Sequence, residues 1–263
     1  MTRWVAFAAL TLLVLAVLLL SARDSARVVD ELAGTDSHNR TGLDRLPDGA
    51  DHLDAIDAPP ASTPRVSNRA LLANVAFSHG LFAAVLLAGI VLANVPLSSL
   101  GIGGGIFSGR TAVGVGVAIG LGLAAVNTAT GAIADAFDAD PSGPLRELLA
   151  PDSTAGWIAL LVVVLPIIAG FEELLFRAVL IGAFSVGFDL SPWLLAVVSS
   201  VAFAAGHGAQ GWLGVVATGV LGFVLAAIFV VTGSLLVVAV AHYVVNAVEF
   251  VVMEGFEYGP FGD

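Results

Sequence analysis

The sequence predicts an all-α, polytopic transmembrane helix bundle of about seven spans, and three observations support that fold class. Of the 263 residues, 58% are hydrophobic and only 12% are charged, with a mean hydropathy of +0.97. A soluble domain normally carries about a quarter charged residues. The apolar residues form seven long stretches, and most charges lie between them. Lipid is therefore the expected solvent for most of the chain.

The charge balance and the lack of cysteine exclude several functions. Acids outnumber bases 21 to 10, and all ten bases are arginine. This acidic composition argues against nucleic acid as a partner and is typical of a halophilic surface, where strong salt screens the repulsion between like charges. With no cysteine in the chain, cysteine catalysis and cysteine-ligated zinc are excluded.

The N-terminal part is predicted to be a membrane anchor, residues 1–21, followed by an acidic linker, residues 22–69. The apolar run 4–20 is longer than the core of a signal peptide, which favours a retained anchor over the alternative of a cleaved signal. Residues 21–69 hold nine acids and six arginines without apolar periodicity, so we expect a flexible, solvated segment. Its arginines favour a cytoplasmic location.

The remaining spans fall into two predicted groups, residues 70–153 and residues 154–256. Ser191 followed by Pro192 predicts a helix start, because serine caps helices and proline suits the first helical position. The predicted spans are 70–95, 111–134, 154–186, 192–206, 209–231 and 234–252.

Polar residues inside these spans are the best indicators of function. An ionisable group within a span costs at least about 2.5–3.5 kcal/mol, so it usually faces a cavity and serves a purpose. Polar residues cluster in three segments of 154–256: Glu172, Glu173 and Arg177; His207, which lies four residues after Phe203; and His242 with Asn246. Because they occupy three helices, they can meet only in a cavity between helices.

Helical spacing separates structural from functional candidates. Glu173 and Arg177 lie four residues apart and are expected to form a structural ion pair. Glu172 points ~100° away from Glu173 and has no local partner, which favours a functional role. His79 and Asn74, in an earlier span, have no companion pattern, and we expect them to pack.

This set of side chains has the components of a hydrolytic site. Attack by water on an amide needs a base such as glutamate, and the oxyanion needs donors such as histidine and asparagine. No serine has glycine two residues before it and no Gly-x-Gly-Asp string exists, which excludes serine-type and aspartyl-type intramembrane proteases. A transporter or channel lined by the same residues is an alternative.

The ordered motifs Glu-Glu-x-x-x-Arg (172–177), Phe-x-x-x-His (203–207) and His-x-x-x-Asn (242–246) resemble those of the CPBP family. This family comprises the type 2 CAAX prenyl endopeptidases and related, Abi-like bacteriocin-processing and bacteriocin-immunity proteins. The resemblance implies a multi-pass endopeptidase of the cell membrane that acts on a membrane-associated protein or peptide. Residues 154–256 would then be the catalytic core and residues 70–153 non-catalytic helices.

The resemblance also implies a role for each matched residue. Glu172 would be the general base, His207 would hold the attacking water, and His242 with Asn246 would line the oxyanion site. Glu173, Arg177 and Phe203 would support them. A metal-free mechanism without a cofactor is preferred; the alternative is a zinc site formed by Glu172, His207 and His242. A non-catalytic immunity or scaffold protein of the same fold is a further alternative.

Overall fold

The computed structural model describes residues 3–43, 67–135, 146 and 149–255, and this part of the chain is helical without strands. Seven apolar helices account for the predicted spans. They are α1 (Trp4–Leu43), α2 (Asn68–Ala93), α3 (Gly109–Asp135), α4 (Thr154–Phe188), α5 (Pro192–Ala205), α6 (Gly211–Thr232) and α7 (Leu235–Phe250, which continues as a π turn through Gly255). Six are long and apolar enough to cross a bilayer, and α5 is shorter. The prediction of a multi-pass membrane protein with an all-helical bundle is confirmed.

Helix α1 is longer than the predicted anchor. It continues to Leu43, so the first half of the predicted flexible linker is helical. Extending a helix costs less than nucleating one, and residues 22–43 contain no proline. Asp24 and Arg27 also pair on adjacent turns at 3.4 Å, which favours the helix. The predicted linker residues 44–66 lie outside the described residues.

Helix α4 is the centre of the bundle. Half of its most apolar stretch is buried inside the protein, against 28% or less for the other long helices. It switches to π-helical geometry at Leu160–Val164 and again at Leu174–Ala183, and π turns are rare and concentrate at functional sites. Glu172 and Glu173 end the α-helical segment between the two π turns.

The predicted helix start at Ser191 is present. The Ser191 hydroxyl accepts a hydrogen bond from the Leu194 amide at 3.5 Å, and Pro192 occupies the first turn of α5. This cap ends the short turn after α4 and fixes where α5 begins.

Two glycines let α3 pack closely on α7. Gly116 and Gly120 lie four residues apart on α3, as in the small-residue stripes through which membrane helices approach each other. A Cβ atom at Gly120 would lie 2.7 Å from the backbone oxygen of Ala241, and one at Gly116 would lie 2.7 Å from that of Val237. Because these two glycines have no side chain, α7 can lie directly against α3 at these positions.

Gly120→Ala is expected to destabilise the protein by about 1–3 kcal/mol, the usual cost of overpacking, because the added methyl group meets the α7 backbone. The control is Gly122→Ala on the same helix, where a Cβ atom meets nothing within 4 Å and alanine is a better helix former than glycine. Unfolding in mixed detergent micelles measures both. Equal stability of the two variants would contradict the close contact between α3 and α7.

Candidate active site

The Glu172 carboxylate lies inside the bundle, between two imidazole rings. Its residue is only 8% exposed. Oε2 lies 3.6 Å from Nε2 of His242 on α7, and Oε1 lies 4.0 Å from Nε2 of His79 on α2. Both separations exceed a direct hydrogen bond. The carboxylate is therefore buried near nitrogen atoms but not bonded to them.

Glu173 points to a different side of α4 and is fully buried, with 0% exposure. Its Oε1 accepts hydrogen bonds from Arg177 Nη1 at 2.8 Å and from His242 Nδ1 at 2.7 Å. The ion pair predicted from the four-residue spacing is thus present. One carboxylate oxygen also ties α4 to α7, which the spacing alone does not predict.

Arg177 extends this network to α5 and α6. Its Nη2 donates to the backbone oxygen of Gly222 at 2.9 Å, and its guanidinium lies 4.7 Å from the centre of the Phe203 ring. A Cβ atom at Gly222 would come within 2.9 Å of that ring. The predicted supporting residues Glu173, Arg177 and Phe203 therefore lie in one buried cluster.

His242 is held between the two glutamates. Because Nδ1 lies 2.7 Å from a carboxylate oxygen, Nδ1 carries the hydrogen, and Nε2 of the neutral ring is an acceptor facing Glu172. The adjacent glutamates point in different directions, as predicted, yet both reach this ring because its two nitrogens lie on different edges.

Two acidic side chains, one arginine and one histidine therefore share one buried cluster. Glu173 contacts both Arg177 and His242 directly, and Glu172 faces the other edge of the His242 ring at 3.6 Å.

His207 lies in the turn that follows α5. Its Nδ1 donates to the backbone oxygen of Phe203 at 2.8 Å. The Phe203 ring contacts both histidines, with centroids 4.6 Å from His207 and 5.9 Å from His242. Among the described residues, no hydrogen bond or ion pair joins His207 to Glu172.

Asn246 lies one turn beyond His242 on α7 and is half-buried. Its amide forms no hydrogen bond with the residues that the structure describes. Its two N–H donors are therefore available to a ligand.

His79 is the site residue that the sequence analysis missed, since it predicted only packing there. Its nearest site partner, Glu172, is 93 positions away in sequence, so no local spacing reveals the contact. The cost of a polar side chain within a span was the one available signal, and it applies to His79 as it does to His242.

The donors of the alternative zinc site are not brought together. Glu172 and His242 lie close together, but no hydrogen bond or ion pair among the described residues joins His207 to either of them. No group of three His, Asp or Glu side chains within the described ranges is placed to hold a metal ion.

The fold and site define a polytopic membrane protein with a buried Glu–His–Arg cluster, and a comparison with family models identifies the domain that contains it. Residues 154–248 match the family model "Type II CAAX prenyl endopeptidase Rce1-like". This segment is similar to the CAAX-protease family, and the resemblance found in the three motifs is confirmed. The family indicates a membrane-embedded endopeptidase, a hydrolase. Searches of curated proteins and of solved structures gave no match.

Arg177→Met is expected to lower the free energy of unfolding by about 3–5 kcal/mol, because it leaves the Glu173 carboxylate buried without its cation. The control is Arg27→Ala, which removes an exposed arginine from an exposed ion pair and should cost less than about 1 kcal/mol. Both are measured by denaturation in mixed micelles. If Arg177→Met cost no more than the control, the buried pair would not stabilise the bundle.

Proposed function

We propose that the protein hydrolyses a peptide bond of a membrane-associated protein or peptide, with Glu172 activating the attacking water. The family match supports an endopeptidase. The observation that carries the mechanism is the buried Glu172 carboxylate, which faces two imidazole nitrogens without bonding directly to either. Such a carboxylate can take a proton from water within its reach.

The proton taken from water has a short onward path. Glu172 Oε2 and His242 Nε2 are 3.6 Å apart, and Nε2 is the free acceptor of that ring. Glu173, bonded to Nδ1 at 2.7 Å, orients the imidazole and stabilises the positive charge that it gains. This is the part played by the aspartate of a serine-protease triad. The same proton can then reach the leaving amine.

His242 and Asn246 are proposed to stabilise the oxyanion. Once protonated, His242 Nε2 becomes a donor, and Asn246 offers its amide one turn along the same helix. Two donors fixed on one helix face need little rearrangement as negative charge develops on the carbonyl oxygen. The Asn246 amide forms no hydrogen bond within the described part of the chain, which supports this role over a purely structural one.

His207 is proposed to help hold the attacking water once a substrate is bound. Its Nδ1 is tied to the Phe203 backbone oxygen, which leaves Nε2 as an acceptor. Catalytic contacts are often long without a substrate and shorten in the complex. The mechanism requires no metal or other cofactor.

Glu172→Gln is expected to abolish processing, with a loss of about 10²–10⁴-fold or more, while the bundle stays folded. The variant keeps the size of the side chain and removes the base. The measurement compares the protein termini of membranes from cells with the wild type and with the variant. Precursor termini should accumulate in the variant alone.

The matched control is Asp189→Asn, in the exposed turn between α4 and α5. Asp189 has a left-handed backbone with φ of 55°, which asparagine tolerates well, so normal processing is expected. Wild-type termini and an unchanged phenotype in Glu172→Gln cells would contradict the protease and favour the immunity or scaffold alternative. A solute flux in proteoliposomes that depended on Glu172 would favour a transporter.

A further inference from the structure

We infer that His79, on α2 and outside the family-matched segment 154–248, is a catalytic residue whose Nε2 accepts a hydrogen bond from the water that Glu172 activates. The inference rests on the proposed function, because it assigns a further residue to the same site. It places part of the hydrolytic site in residues 70–153, the group of helices expected to be non-catalytic.

The orientation of the His79 ring is fixed on two sides. Nδ1 lies 2.9 Å from the backbone oxygen of Val75, and a carbonyl oxygen can only accept, so Nδ1 carries the hydrogen. The ring packs edge-on against Phe171, with centroids 5.4 Å apart. In the neutral ring, Nε2 is therefore an acceptor, and it points towards Glu172.

The distance between His79 and Glu172 suits one bridging water. Two hydrogen bonds of about 2.8 Å at a water angle of about 105° span about 4.4 Å. The gap from His79 Nε2 to Glu172 Oε1 is 4.0 Å, close to that span, whereas the gap from His242 Nε2 to Oε2 is 3.6 Å. The wider gap suits one bridging water. The narrower gap is short for a water and needs to close by only about 0.4 Å to reach the distance of direct proton transfer.

The two imidazoles therefore have different roles at the Glu172 carboxylate: His79 holds the attacking water, and His242 accepts the proton. Water between Glu172 and His79 donates one hydrogen to each, which directs an oxygen lone pair away from both and towards an incoming carbonyl carbon. As the new C–O bond forms, one proton passes to Glu172, and the other hydrogen bond stays on His79. His242 faces the other carboxylate oxygen, so the protonated carboxyl group rotates about its Cγ–Cδ bond before it passes this proton to His242 Nε2.

Two substitutions at His79 separate this role from packing. In His79→Gln, the side-chain oxygen reaches the place of Nε2, so the acceptor towards water is kept. In His79→Asn, the amide reaches only the place of Nδ1, so the bond to Val75 is kept and the acceptor is lost. The readout is the rate at which cells convert the precursor termini that accumulate in Glu172→Gln cells, followed by pulse labelling.

We expect His79→Asn to slow conversion by about 10²-fold, which is the scale of a misplaced reactant. His79→Gln should stay within about 10-fold of the wild-type rate, because it retains the acceptor. Wild-type rates in His79→Asn, or equal losses in both variants, would overturn the assignment. If Glu172→Gln cells accumulate no termini, the proposed function fails.

A second measurement needs no substrate. In protein labelled with ¹⁵N-histidine, His79 should show a protonated Nδ1 and an unprotonated Nε2, with the signals assigned by their loss in His79→Gln. The Nε2 shift should change in Glu172→Gln. A protonated Nε2 in the neutral ring, or a shift unaffected by Glu172→Gln, would overturn the role of His79 whether or not the protein is a protease.

Discussion

The buried carboxylate of Glu173 is the constraint on which the site depends. One of its oxygens accepts hydrogen bonds from Arg177 and His242 at 2.8 and 2.7 Å, at a position with no solvent exposure. A charge buried in this way is tolerated only while its partners remain in place. Glu173 therefore fixes α4 against α7 and, through the same contact, sets which nitrogen of His242 faces Glu172.

The rest of the bundle supports this arrangement from several helices. The glycines of α3 let α7 approach closely, which places His242 and Asn246. Arg177 reaches the backbone of α6 at Gly222 and lies against Phe203 of α5. Helix α2 adds His79 from outside the family-matched segment. Four helices thus contact the cluster around α4, and a change in any of them is transmitted to Glu172 through packing.

The bounds of the spans can be predicted well from the sequence. Polar groups are costly in lipid, so the spans stand out as long apolar stretches separated by charged and turn residues. From residue 68 onward, the predicted ends lie within three residues of those observed. The Glu173–Arg177 pair followed from helical spacing. The contacts of His79 and of His242 did not, since each joins residues distant in sequence and depends on how helices pack. The extension of α1 to Leu43 does not follow from the composition, because a charged, aperiodic segment is compatible both with a linker and with an exposed helix.

A double-mutant cycle between Glu173 and His242 tests the central claim most directly. The free energy of unfolding is measured in mixed micelles for Glu173→Gln, His242→Leu and the double variant. If the two side chains share the buried hydrogen bond, the double variant should lose less stability than the sum of the single variants, by at least about 1 kcal/mol. Additivity within about 0.5 kcal/mol, the behaviour of independent residues, would contradict the account.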